Sequence, residues 1–197
     1  GVPGSMGVWL LGYANGAYTA AWQPEHETLL SYHGFSVRVT GKSGIRFKTG
    51  IDQTTKRQLA AGSLAGWRLK EYGTMVMRNS RRAELPFVLN GTGVKSGRAY
   101  WLENGAVHDQ VFESAAGRDR FTSVLIGLPA SEYKTEFAFR GYIVLEKNGV
   151  SYTLYGPIVA RSIYTVAGQL LDRGEFAAGS AADAFLRKLR SDADAIG

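Results

Sequence analysis

The chain of 197 residues has no cysteine, so it can build neither a disulfide framework nor a thiolate metal site. That absence is compatible with export. Nowhere does an apolar run approach the roughly 20 residues of a membrane span, so membrane insertion is not expected. Signatures of chemistry are missing as well: there is no G-x-S-x-G nucleophile elbow, no P-loop lysine and no dinucleotide fingerprint after a strand. The histidines, His26, His33 and His108, match no metal-ligand spacing, and no acidic loop resembles an EF-hand. Glu113, Asp119, Glu132 and Glu136 could flank a cleft as in a glycosidase, but nothing in the sequence sets two of them at a defined separation. The sequence therefore assigns no catalytic residue, no cofactor and no metal.

What is present points to β structure. With 25 glycines and 12% aromatic residues, turns and strands are favoured over a helical bundle, and 45% hydrophobic against 20% charged residues is enough for a packed core. The opening GVPGSM, residues 1–6, reads as an expression-tag remnant, and 7–197 as a single module. The formal charge is +6. Much of the excess lies between Lys56 and Arg82, where Lys56, Arg57, Arg68, Lys70, Arg78, Arg81 and Arg82 face only Glu71. Such a balance suits a polyanion, among them teichoic acid or an acidic glycan, and equally a solvated surface. No nucleic-acid motif accompanies it, so nucleic acid is not expected as a partner.

Asn15-Gly16 stands between two apolar runs, VWLLGY and YTAAW, the strongest short hairpin signal, because both central residues of a type I′ turn need positive φ. This register pairs Tyr13 with Tyr18, Leu11 with Ala20 and Trp9 with Trp22. Period-2 alternation then predicts a strand from Phe35 to Val39, with Phe35, Val37 and Val39 inward. A second follows, with Ile45, Phe47, Thr49 and Ile51 inward and Arg46 and Lys48 outward. Asp52 is placed to cap a short helix that Gly62 stops. Further strands are predicted over Glu71–Met77, Leu85–Asn90, Tyr100–Leu102 and Arg120–Leu128, with 103–118 rich in loops. The longest, Thr135–Lys147, sets Phe137, Phe139, Ile143 and Leu145 on one side and Glu136, Arg140, Tyr142 and Glu146 on a more polar one. Asn148-Gly149 turns it back, with Tyr142 opposite Tyr155, and Pro157 limits the next strand to a short pairing.

From Ser162 the apolar period becomes helical, through Ile163, Val166, Ala167 and Leu170 to a stop at Arg173-Gly174. Ser180, with Asp183 three residues on, opens a second helix whose stripe reads Ala182, Phe185, Leu189 and Ile196. The expected fold is all-β, mainly antiparallel and sandwich-like, with one short internal helix and two short C-terminal helices over about 162–196.

GIRFKTGID (Gly44–Asp52), EYGTMVM (Glu71–Met77), RFTSVLIGLP (Arg120–Pro129), TEFAFRGYIVLEKNG (Thr135–Gly149) and YGPIVARSIYTVA (Tyr155–Ala167) run in that order. In strand pattern the chain resembles a β-rich module that recurs in large extracellular proteins of Firmicutes, beside dockerin or S-layer-homology domains. The resemblance implies an extracellular or cell-surface location, with signal and anchor outside this fragment, and a non-enzymatic role in binding or adhesion. It names no ligand and carries over no catalytic residue.

The candidate ligand contacts are aromatic. Sugar rings stack their C–H faces on Trp and Tyr, so the hairpin strip Trp9, Tyr13, Tyr18 and Trp22 is either a polysaccharide platform or the inner face of its sheet; Val8, Leu10 and Ala21 opposite are apolar too. Tyr100 and Trp101 are adjacent, so they point to opposite faces. Trp67, between Gly66 and Arg68, is a further candidate. The partner expected first is a polysaccharide or cell-wall glycan. The alternatives are a spacer or adhesion module that binds other surface modules, and a glycan-active hydrolase. Arg140 and Arg161 are expected in ion pairs with Glu136, Glu71 or Glu146.

Overall fold

The structure is a computed structural model that describes residues 7–14, 17–24, 29–110 and 113–197, the first two stretches by backbone and register. It is mostly antiparallel β-sheet with three α-helices. Strands β1 (Gly7–Ala14) and β2 (Ala17–Pro24) form their own two-stranded sheet, in which Trp9 opposes Trp22 and Tyr13 opposes Tyr18, the register that alternation around Asn15-Gly16 predicts. The turn itself lies outside the described residues.

Strands β3 (Leu30–Arg38) and β4 (Gly44–Asp52) pair first. The Asp52 carboxylate then accepts the Thr55 N–H at 2.9 Å and caps α1 (Gln53–Ala60). Next come β5 (Arg68–Arg78), β6 (Lys95–Glu103), β7 (Ala106–Asp109), β8 (Glu113–Ala115) and β9 (Arg118–Ile126). The chain continues through β10 (Phe137–Lys147), β11 (Val150–Tyr155) and β12 (Val159–Arg161) to α2 (Ile163–Asp172) and α3 (Ala181–Ile196). One sheet runs β3-β4-β9-β8. The other runs β11-β10-β5-β6-β7, with β12 also on β10.

Hairpin chemistry accounts for the tight connections. Asn148 and Gly149 both have positive φ and set Tyr142 opposite Tyr155. The stretch 103–118, expected to be loop-rich, instead folds into two more hairpins, with Asn104-Gly105 and Ala116-Gly117 in the same left-handed pair of conformations. The Asn-Gly dipeptide at 104–105 was the available signal. After β11 the chain steps away from the sheet at Gly156 and Pro157, then rejoins β10 opposite Phe137, Ala138 and Phe139 as the short β12.

Residues of both sheets share the core. Leu30, Ile51 and Phe121 from one sheet pack with Tyr72, Tyr100, Ile143 and Leu145 from the other and with Leu59 of α1. Val37, Ile45 and Phe47 meet Phe137 and Phe139, and α2 and α3 close over them through Ile163, Val166, Leu170, Leu186 and Leu189. Each side chain of this kind, withdrawn fully from water, stabilises by about 1.5–3 kcal/mol before ordering costs.

Three expectations need correction. Leu85–Asn90 is not a strand: Leu85, Phe87 and Leu89 alternate inward from an extended loop, but Pro86 has no N–H to offer and no ladder forms. That loop covers β5 and β10, so Tyr142 is fully buried among Met75, Met77, Ala138 and Phe87 and the second face of β10 is apolar rather than wet. On α3 the buried stripe is Leu186, Leu189 and Ala193, while Ile196 is exposed. A stripe read as i, i+3, i+7 from Ala182 misses by one residue the side that α2 offers. Among the described residues no helix is long and apolar enough to cross a membrane.

Candidate functional site

Alternation along the four-stranded sheet sends Ile45, Phe47, Thr49 and Ile51 into the core and leaves Arg46 and Lys48 on the opposite face. Cross-strand pairing adds neighbours to that face. Arg46 lies between Ser36 of β3 and Val124 of β9, Lys48 beside Thr122, and Gly50 between Ser31 and Arg120; Arg118 follows opposite Asp52. Arg38 extends the row at the other end, opposite Gly44. Arg38, Arg46, Lys48, Arg120 and Arg118 thus share one face some 25 Å long at about 3.3 Å per residue. Ser36, Arg46, Lys48, Thr122 and Val124 line a shallow depression of about 460 Å³ at its centre.

Asp52, at the end of this face, is occupied by the helix cap, and Glu113 works within the field itself. Glu113 of β8 accepts from Lys48 Nζ at 2.9 Å and lies 3.4 Å from Arg120 Nη1. The Lys48 hydrogen bond holds its carboxyl below the ordinary range, with the charges of Lys48 and Arg120 adding to the effect. His33 lies over Gly50, its Nε2 2.7 Å from Ser31 Oγ. Partial burial lowers its pKa, and Arg120, Arg118 and Lys48 lower it further, so the imidazole is neutral at pH 7. Arg118 Nη1 and Arg120 Nε are enclosed donors with no hydrogen-bond partner. Cations in excess beside a neutral imidazole make an anion-accepting surface.

The residues singled out from sequence fall in different places. The side chains of Trp9, Tyr13, Tyr18 and Trp22 lie outside the described residues, as does His26. Tyr100 is buried, stacked on Tyr72 at 5.2 Å. Trp101 points the other way and is half-buried, parallel to the His108 ring at 4.7 Å and under the Arg98 guanidinium at 4.5 Å. Trp67 is half-buried beside Tyr152 and Lys147. Tyr100 and Trp101 are thus split by the sheet between them.

The basic stretch 56–82 dissolves into separate environments. Lys56 is buried rather than solvated: its ammonium bridges Asp109 at 2.7 Å and Asp119 at 2.9 Å beneath Tyr72 and Tyr100. Burial would raise the Asp119 pKa, but hydrogen bonds from Lys56, Ser114 and Gln53 outweigh it and hold the carboxyl low. Lys70 pairs with Glu146 and Arg78 with Glu132. The carboxylates considered for a cleft are therefore engaged on separate elements, with Glu136 accepting from Asn79. Arg140 donates to the carbonyls of Gly156 and Phe87 and lies 4.7 Å from the Tyr155 ring, while Arg161 donates to the Ala160 carbonyl. Glu71, offered as an ion-pair partner, instead accepts from Tyr142, and that bond together with burial pushes the phenol far up.

Outward alternation at Arg38, Arg46 and Lys48 was readable from the sequence, whereas Arg118 and Arg120 join them only through the pairing of β4 with β9, which no local signal announces. Comparison with protein-family models, with curated proteins and with solved structures finds no match for the chain.

Proposed function

We propose that this chain is a non-catalytic module that binds an anionic polysaccharide along the outer face of its four-stranded sheet, on a sandwich-like β framework, at the cell surface or outside the cell. The observation that carries the reading is Arg38, Arg46, Lys48, Arg118 and Arg120 on one face, with Glu113 among them and Asp52 at its end, turned to the α1 cap. A flat sheet face suits a linear chain better than a compact ligand. Thr122, Ser36 and Ser31 offer neutral hydrogen-bonding groups between the charges, as sugar hydroxyls require. Arg46 is the residue to test, since it stands at the centre of the depression and its aliphatic stem and fork can follow a carboxylate.

Affinity electrophoresis through gels containing polygalacturonate, hyaluronan, a neutral β-glucan or single-stranded DNA separates the outcomes. The expected result is retardation on an acidic glycan, falling as salt rises because counterions are released. Retardation should be lost in Arg46→Glu with the fold intact. Wild-type chain that runs unretarded in every acidic glycan, or is held equally by DNA, would overturn the proposal.

A further inference from the structure

Two strand edges are left open towards the same cleft. On β6, Lys95 to Arg98 pair with β5 along one side, whereas β7 covers only Tyr100 to Glu103 on the other. The Ala99 carbonyl is taken by the Gln110 N–H, so the open stretch ends there. On β9, β4 pairs along the whole strand, but β8 reaches only Arg118 to Arg120. Among the described residues nothing pairs with the far edge of Ser123 to Ile126.

A cavity of about 350 Å³ lies between these edges. Its walls are consecutive residues, Lys95–Arg98 from β6 and Ser123–Leu125 from β9. Both runs lie along strand edges that carry no ladder partner there, so backbone groups as well as side chains border the space. In an antiparallel ladder about half of the N–H and C=O groups on such an edge point away from the existing partner. Val76 and Phe139, cross-strand neighbours on one face of the sheet, make an apolar floor.

Two further observations describe the space itself. Thr74 is 3% exposed and lines the cavity, yet its Oγ1 has no hydrogen-bond partner. Gly97 is directly opposite Thr74, and a Cβ built on it would meet nothing within 4 Å, so the space above this pair is empty. The rim is cationic, with Lys95 and Arg98 exposed. A second cavity of about 560 Å³ shares Val76, Lys95 and Leu125 with the first and continues past Arg81.

We infer that this cleft accepts an extended acidic peptide from another protein, which adds as a strand to the open edge of β6. The added strand satisfies the free backbone groups, lays every second side chain beside the Val76–Phe139 floor and turns the intervening ones towards Arg98 on the other face of the sheet. The sequence it selects therefore alternates apolar and acidic residues over about five to seven positions. The cleft lies beside the basic sheet face and does not depend on it.

The test is fluorescence anisotropy with a labelled peptide of alternating Glu and Val, against peptides of alternating Lys and Val and of alternating Glu and Ser, together with amide shifts of the isotopically labelled chain. Saturable binding of the Glu/Val peptide alone is expected, with shifts at 95–98 and 123–126. Gly97→Leu sets its Cβ where nothing lies within 4 Å and its branch in the cavity, so it should weaken binding by at least about tenfold at an unchanged melting temperature. Lys95→Glu with Arg98→Glu should transfer the preference to the Lys/Val peptide. Each of the following overturns the inference: no binding, equal binding of both charge types, shifts at the β11 edge instead, an undiminished Gly97→Leu, displacement of the peptide by polygalacturonate, or a self-associated dimer that Gly97→Leu dissolves.

Discussion

The outer faces of the two sheets obey the same alternation and end in opposite states. On the four-stranded sheet Arg46, Lys48 and Thr122 are half-buried and Val124 is exposed, with no loop laid over them. On the six-stranded sheet the 79–94 connection lies over β5 and β10, and Phe87 seals Met75, Met77, Ala138 and Tyr142 into a second core. The polar groups there are held rather than hydrated: Arg140 by two carbonyls and the Tyr155 ring, Tyr142 by Glu71, and the Leu89 N–H by the Tyr155 hydroxyl. A strand's second face is thus wet or dry according to whether a loop covers it, and alternation alone does not decide which. An arginine on the open face is available to a ligand; one under the loop supports the fold.

The largest test of this contrast is truncation of the seal. Phe87→Ala should cost about 3 kcal/mol in urea unfolding, since it leaves a cavity over Tyr142, whereas Val124→Ala on the open face should stay within about 0.5 kcal/mol. Equal effects would show that the connection does not seal the sheet. Next in size, Arg140→Leu strands the Gly156 and Phe87 carbonyls and should cost about 1–3 kcal/mol, against about 0.5 kcal/mol or less for Arg46→Leu. Reversal of that order would place the structural arginine on the wrong face.

The smallest effect is a matter of pH. His33 has its folded pKa below the ordinary imidazole value, so the unfolded chain binds a proton first as pH falls. Its contribution is unaffected above that ordinary value and turns against folding below it. Thermal melts from pH 7.5 to 5 should therefore fall less steeply for His33→Gln than for the wild type, and identical slopes would remove His33 from the basic field.

Much of this frame is legible in the residues, because the signals are local. Asp52, Ser162 and Ser180 cap their helices through the N–H groups of Thr55, Thr165 and Asp183. Asn148-Gly149 sets its register by turn geometry alone. Ile45 to Ile51 alternate as the core demands. What escapes is set by distant partners. Lys56 looks like one more surface charge until β7 and β9 bring Asp109 and Asp119 to it. Leu85 to Leu89 carry a strand's pattern without a strand's hydrogen bonds. The basic face is written in four strands, and the aromatic strip of β1 and β2 is legible only as a register.

The Lys56 bridge has a mechanical corollary. Its two carboxylates belong to different sheets, Asp109 to β7 and Asp119 to β9, and the helix that carries it is one of the covalent passages from one sheet to the other. The molecule is therefore clasped at that point, while further along the same strands β6 and β9 stand apart. At the cleft end the 127–136 connection ties β9 to β10, so the two sheets are joined at both ends, by an ion pair at one and by the chain at the other. The ammonium lies against the Tyr72 and Tyr100 rings, so the clasp is anchored in the core that the sheets share.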